Sequence, residues 1–234
     1  MAVRLLAVTC DTDSPERVAR FWSGMLRCDV VADGDGLLLP GPPTQVGLRF
    51  VPGPAAAEHL HRLHLHLTSA SLAHQQDTVA SALAIGARHV DVGQRPEEGH
   101  VVLVDPGGNY FCVIEPGNGY LAGTGFFGEV ACVGTRDVGL FWSAALNWPL
   151  VWDRDQETAV QSPLGGTKVA WGGQPLAAKI ARSAQRFLLT APGGDLRAEI
   201  DRLVSLGAAI VSIGGDGSAE LVDVDGNEFL LRPA

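Results

Sequence analysis

The chain contains 234 residues, of which 46% are apolar, and carries a formal net charge of −9. This length suits one large or two small domains, and the apolar fraction is sufficient for ordinary hydrophobic cores. The acidic charge argues against a nucleic-acid partner, since phosphate-binding surfaces need clustered lysine and arginine, and no apolar run approaches the roughly 20 residues of a membrane span.

The sequence opens with a predicted strand and an amphipathic helix. Apolar residues recur in this helix at the spacing i, i+3, i+4, i+7 and i+8, which forms a single stripe for packing on a sheet. They are Val18, Phe21, Trp22, Met25 and Leu26. Ser14 is placed to cap the helix, and Pro15 suits its first turn.

Short apolar runs broken by turn residues follow the helix and predict strands over residues 37–39 and 46–51. The same order then starts again, with a strand over residues 63–68 and a helix over residues 71–85. Two further strands within residues 101–114 flank an Asp-Pro-Gly-Gly-Asn turn. The first half of the chain is therefore predicted to contain two modules, each with the order strand, helix and three strands.

The second half repeats the first about 120 residues later. Three landmarks recur in the same order: Phe21-Trp22-Ser23 as Phe141-Trp142-Ser143, Gly86-Ala87 as Gly207-Ala208, and Gly108-Asn109 as Gly226-Asn227. A unit of this length is a whole domain rather than a solenoid repeat. A cluster of glycines within residues 117–125 suits a flexible join, so we predict domains over residues 1–118 and 125–234.

The cysteines show no Cys-x-x-Cys spacing, and four in a chain of this length do not suit a disulfide framework. They are Cys10, Cys28, Cys112 and Cys132. Since three of them lie in apolar, strand-like surroundings, we expect buried free thiols in a soluble cytoplasmic protein.

Three stretches of the chain carry a family resemblance: Ser-Pro-Glu-Arg-Val-Ala-Arg-Phe-Trp from Ser14, Arg-Leu-His-Leu-His-Leu from Arg62, and Val-Asp-Pro-Gly-Gly-Asn-Tyr-Phe-Cys-Val from Val104. They resemble the vicinal oxygen chelate superfamily, which includes glyoxalases, bleomycin-resistance proteins and extradiol dioxygenases, and above all its tandem glyoxalase-like proteins. The resemblance implies an α+β fold of two tandem glyoxalase-like domains. Each would consist of paired βαβββ modules whose sheet forms a cup, with helices outside and a ligand cavity inside.

Alternation along residues 63–68 places three leucines on one face of the strand and His64 and His66 on the other. If the leucines pack under the helices, both histidines face the cavity. Aromatic rings on strands or strand ends, such as Tyr110, Trp152 and Trp171, can stack there on a planar or cationic ligand. We therefore expect the ligand-binding residues to be His64, His66, Arg49, Tyr110, Cys112 and Trp171.

The resemblance also raises the question of a metal ion. Metal-dependent members of the superfamily hold one divalent ion with His, Gln or Glu from the first and last strands of two modules. His64 matches one first-strand position and is the strongest ligand candidate. Cys112 stands where a carboxylate is usual, and Arg49 in the first module would repel a cation. Zinc could in principle bind a His-Cys pair, with His59, His61 or His100 approaching it.

The second half offers no ligand near the four equivalent positions, which hold Phe127, Trp171, Arg186 and Leu230. A slip of one or two residues in this correspondence would bring Glu129 or Glu228 into consideration. A catalytic ion needs several ligands that converge on one point and an open position for substrate. We therefore expect no complete metal site and no cofactor, with a bound divalent metal as the alternative.

These features predict a small-molecule-binding protein of the glyoxalase and bleomycin-resistance type, which could sequester an antibiotic or a metabolite. No catalytic residue is assigned, and a monomer or homodimer is expected. The alternative is a metal-dependent lyase, isomerase or dioxygenase with His64 as ligand or base and Arg49 orienting an anionic substrate. Cys112 beside His64 could also serve as a thiolate, although a structural cysteine is favoured. A third hypothesis makes the second half a structural partner, with specific binding confined to the first half.

Overall fold

The computed structural model describes residues 3–54, 62–95, 97–173, 182–193 and 195–234. His59 and His61 lie outside these ranges. The helices of the described part are α1 (Pro15–Leu26), α2 (Leu72–Ala84), α3 (Arg136–Leu146) and α4 (Leu196–Ser205). Among the residues described, no helix is long and apolar enough to cross a membrane.

The strands and helices follow one another in a regular order along the chain. The strands of the first half are β1 (Arg4–Thr12), β2 (Val31–Asp33), β3 (Gly36–Leu39), β4 (Gly47–Pro52), β5 (Leu63–Leu67), β6 (Arg88–His89), β7 (Val101–Val104) and β8 (Tyr110–Val113). Those of the second half are β9 (Phe127–Val133), β10 (Leu150–Arg154), β11 (Glu157–Gln161), β12 (Lys168–Gly172), β13 (Gln185–Ala191), β14 (Ala209–Ile213), β15 (Ala219–Val222) and β16 (Glu228–Pro233). Modules 1 to 4 therefore begin at β1, β5, β9 and β13, which confirms the predicted α+β class and the βαβββ repeat.

Within the described residues, the strands form two eight-stranded sheets. Sheet A has the order β14-β15-β16-β13-β1-β4-β3-β2, and sheet B has the order β10-β11-β12-β9-β5-β8-β7-β6. Sheet A thus combines modules 1 and 4, whereas sheet B combines modules 2 and 3. The expectation that both modules of a sheet come from the same half of the chain is wrong.

The connection between the halves explains this pairing. In module 2, β8 lies between β5 and β7, so the free edge of the module is on β5. The chain leaves β8, turns back within residues 114–126 and lays β9 antiparallel against that edge. Because each module begins with a similar apolar strand whose free edge needs a partner, the local sequence pattern does not reveal which two modules join.

The repeated Phe-Trp-Ser and Gly-Asn landmarks are structural. Trp22 and Trp142 are 0% and 1% exposed, as predicted for core residues. The indole Nε1 of Trp22 donates to Asp105 Oδ2 at 2.8 Å, and that of Trp142 donates to Asp223 Oδ2 at 3.1 Å. Each bond joins a helix of one module to the turn before the last strand of the next module. The repeat therefore ties sheet A to sheet B within each half.

The apolar stripe of α1 packs as predicted, but its predicted cap does not form. Ser14 occupies the position before the helix without a side-chain capping bond. Its backbone N–H instead donates to Thr12 Oγ1 at 3.3 Å. The corresponding Thr135 of α3 does accept a bond from Val138 N, so the two copies differ in this detail.

Candidate functional site

Polar side chains form a row across the centre of sheet B. In the strand registers, Cys112 of β8 pairs with His66 of β5, His66 with Glu129 of β9, and Glu129 with Lys168 of β12. The leucines of β5 are buried on the opposite face, in the core. Two modules from different halves of the chain therefore build this row together.

A cavity of about 430 Å³ lies against this face of sheet B. His64 and His66 line it on one side, and Ala131 and Ala170, the register partners of His64 on the next two strands, leave space beside them. Trp152 closes another side. This volume lies within the usual range for small-molecule sites.

Hydrogen bonds connect the polar residues of the cavity. His66 Nδ1 lies 2.6 Å from Glu129 Oε2, and the hydroxyl of Tyr120 donates to Glu129 Oε1 at 2.7 Å. Lys168 Nζ donates to the backbone carbonyl of Tyr120 and lies 4.2 Å from the centre of its ring. The Tyr120 ring in turn meets Trp152 edge-on, with centroids 5.6 Å apart. Both oxygens of the buried carboxylate thus have partners, which fixes its orientation.

The surroundings separate the protonation states of the two histidines. Burial and the neighbouring charge of His66 lower the pKa of His64 to about 4. Burial alone would also lower the pKa of His66, but hydrogen bonds with Cys112 and Glu129 and the carboxylate charge raise it to about 9. Burial opposes ionisation of Glu129, yet the His66 and Tyr120 contacts hold its pKa below the usual range. At neutral pH the site therefore contains a neutral His64, a protonated His66 and an ionised Glu129.

The residues present do not fit a resident divalent ion as they are arranged. His64, His66 and Cys112 can each offer one ligand atom, and these atoms lie within 4.8 Å of one another. However, Nδ1 of His66 is already paired with Glu129 Oε2 at 2.6 Å, so this nitrogen is not free for a metal. Across the sheet, the register partners of His64 are alanines, which supply no ligand.

The structure places the predicted ligand-binding residues in four locations. His64, His66 and Cys112 lie together in sheet B. Tyr110 packs beside Cys112 in a small apolar cluster. Trp171 borders the cavity, but it is 2% exposed and its ring stacks on Trp142, with centroids 6.3 Å apart.

Arg49 lies in sheet A, apart from these histidines. It donates to Asp33 Oδ2 at 2.6 Å and to Asp35 Oδ1 at 2.8 Å, and Arg232 pairs with the same Asp33. In the same sheet Arg186 donates to both oxygens of Asp11. Paired charges thus occupy the centre of sheet A, and Arg49 does not face a ligand at His64.

Sequence reasoning missed three residues of the site: Tyr120, Glu157 and Lys168. Trp152 was named as an aromatic residue that could line a cavity, but not among the expected ligand-binding residues. Glu129 entered only as a residue that a shifted correspondence would bring in. All five follow β8 in the chain, so their approach to His66 depends on the pairing of β5 with β9. The cavity beside His64 and His66 is therefore lined by residues of both halves of the chain, not of the first half alone.

A family model described as a glyoxalase-like domain matches residues 7–114 and 129–232. The chain belongs to this family. A comparison with curated proteins gives no match. The match to two tandem segments confirms the predicted resemblance to the vicinal oxygen chelate superfamily and the architecture of two tandem glyoxalase-like domains.

Solved structures share this glyoxalase-like fold. Glyoxalase I from Zea mays superposes with a TM-score of 0.65 at 13% identity, over 98% of this chain and 92% of that one. Its V278E mutant gives a TM-score of 0.66 at 14% identity, with the same coverage. A protein from Bacillus subtilis that is proposed to be a dioxygenase gives 0.61 at 13% identity, over 99% of this chain and 85% of that one. At such identities the likeness concerns the fold alone, which supports many chemistries.

Proposed function

We propose that this glyoxalase-like protein binds a small organic ligand in the cavity of sheet B and does so without a complete metal site. The cavity itself carries the proposal. It measures about 430 Å³ and combines apolar walls with a few fixed polar groups, which is the usual composition of a small-molecule site. Sequestration of an antibiotic or a metabolite is the form of binding that needs no metal.

The chemistry of the walls favours a ligand with an aromatic or cationic part. Trp152 and Tyr120 present aromatic rings, on which planar groups stack. The charge of Glu129 is matched by His66, whereas Glu157, also at the cavity, is exposed. Together with the net charge of −9, this carboxylate attracts cations.

A thermal-shift screen of cationic glycopeptides and aromatic metabolites tests the proposal. A ligand present at 100 times its Kd stabilises the folded state by about 2.7 kcal/mol, which raises the melting temperature measurably. Trp152→Ala should abolish the shift. Val151→Ala, on the same strand but 40% exposed to solvent, is the matched control and should keep it. The proposal fails if no compound stabilises the wild type, or if both variants respond alike.

The second candidate function is that of a metal-dependent lyase, isomerase or dioxygenase. The approach of His64, His66 and Cys112 to within 4.8 Å favours it. Elemental analysis decides between the two after purification without chelator or affinity tag. A stoichiometric ion in the wild type that His64→Ala loses would overturn metal-free binding and support this second function.

A further inference from the structure

Cys112 has surroundings that set it apart from the other cysteines. Burial raises the pKa of the thiols of Cys10, Cys28 and Cys132, which keeps them neutral. Cys112 instead lies in register with His66 on the adjacent strand, and its Sγ is within 4.8 Å of a nitrogen of that ring.

The imidazole beside Cys112 is itself held by a carboxylate. His66 Nδ1 contacts Glu129 at 2.6 Å, which leaves the other ring nitrogen for the sulfur. Tyr120 holds the second oxygen of Glu129, so the carboxylate cannot rotate freely. A thiol, an imidazole and an orienting carboxylate on three adjacent strands are the arrangement that activates a nucleophile, because the protonated imidazole stabilises the thiolate and the carboxylate stabilises that cation.

The cavity gives a small molecule access to this group. His64 and His66 both line it, and a nitrogen of each lies within 4.8 Å of Cys112 Sγ. Cys112 as a whole residue is only 5% exposed, so bulk solvent reaches it poorly. A ligand in contact with the two rings therefore lies close to the sulfur, while larger reagents are kept away.

We propose that Cys112 is a nucleophile that captures small soft electrophiles, such as α,β-unsaturated carbonyl compounds, from the sheet B cavity. This rests on the proposed function, because it adds a covalent step to binding at the same place. His66 holds the thiol proton while the sulfur attacks the β-carbon and forms a thioether bond. The π electrons of the alkene move to the α-carbon, which then takes the proton from His66. No group leaves, and no oxidant or reductant is needed.

Labelling of the folded protein with N-ethylmaleimide, an α,β-unsaturated imide, tests this at pH 7. Peptide mapping over time gives the rate at each cysteine. Cys112 should be labelled, and His66→Gln should lower its rate at least tenfold while the rate at Cys28 stays within twofold. Cys112→Ser should remove this site alone. His74→Gln, an exposed histidine on α2, is the matched control and should leave both rates unchanged.

Two results would overturn the proposal. One is an unlabelled Cys112 in the folded wild type, and the other is a His66→Gln variant labelled as fast as the wild type. Circular dichroism and thermal melting of each variant show whether the fold is intact, and Glu129→Gln supplies a second slowed variant if His66→Gln unfolds. Fast labelling of Cys112 with no hit in the thermal-shift screen would refute reversible binding alone. Hits with an unreactive Cys112 would refute covalent capture alone.

Discussion

His64 and His66 are two residues apart on one strand, yet their surroundings act on them in opposite directions. His64 has no carboxylate within hydrogen-bond distance among the contacts described, so burial and the charge of His66 dominate and lower its pKa to about 4. His66 contacts Glu129 directly, and its pKa is raised to about 9. One neutral and one protonated imidazole therefore stand side by side, with ring centroids 4.7 Å apart.

This pair predicts a stability maximum near pH 6.5. A histidine whose pKa is raised on folding stabilises the protein below its unfolded value of about 6.5, and this contribution is lost as the pH rises through about 9. A histidine whose pKa is lowered on folding costs stability as the pH falls from about 6.5 towards about 4. The free energy of unfolding, measured with urea from pH 4 to 9.5, should fall on both sides.

Single variants distinguish the alkaline and acidic sides of this stability curve. His66→Gln should flatten the alkaline side and also weaken the acidic side, because the charge of His66 helps to lower the pKa of His64. His64→Gln should flatten the acidic side and leave the alkaline one. Protonation of Glu129 also lowers the free energy of unfolding in acid, but only at pH values below the usual carboxylate pKa. NMR titration of the imidazole signals provides an independent reading. Two histidines that both titrate near pH 6.5 would contradict this account of the site.

At the level of elements, the spacing of apolar residues predicted the helices and the inner strands. Each of these elements buries one face, and the buried face requires apolar residues at regular intervals. The stripe of α1 and the alternation of β5 both hold in the structure, and the latter correctly grouped His64 with His66. The outer strands escaped recognition because β2 and β14 are short and largely exposed, so no buried face shapes their sequence. Glu129 could not be assigned to the site because strand partners are set by topology, which local periodicity does not encode.

Two helical glycines predict opposite effects of the same substitution. At Gly139 in α3, a Cβ would lie 1.9 Å from Thr158 Oγ1 and 2.6 Å from Thr158 Cβ, and Thr158 is buried. At Gly24 in α1, the nearest atom is Ile85 Cδ1 at 3.4 Å. Gly139→Ala should therefore destabilise by about 1–3 kcal/mol through overpacking, whereas Gly24→Ala should stabilise by up to about 1 kcal/mol because alanine favours the helix.

Urea denaturation of both variants measures these differences. Each is the control for the other, since both replace a helical glycine by alanine. Similar changes at the two positions would show that helix propensity alone governs them and that α3 does not pack closely on β11.

In the whole molecule, one kind of contact connects the two halves of the chain and another connects the two sheets. The β1–β13 and β5–β9 strand pairs join the two halves of the chain, and the Trp22–Asp105 and Trp142–Asp223 bonds join the two sheets. Each module is thus tied to one neighbour by a sheet and to another by a buried indole. The molecule should therefore unfold as one cooperative unit, although its sequence contains two domains.

Cleavage of the chain between the halves tests this organisation. A protease site inserted at Gly117, which is exposed and has open space where a side chain would extend, allows the join to be cut in the folded protein. The cut halves should elute together from gel filtration and melt in a single transition, because both sheets contain strands from each half. The uncut insertion variant is the control for any effect of the added residues. Separate elution of the halves in native buffer would mean that each half forms its own sheet, and the cavity shared by His66 and Glu129 would not exist.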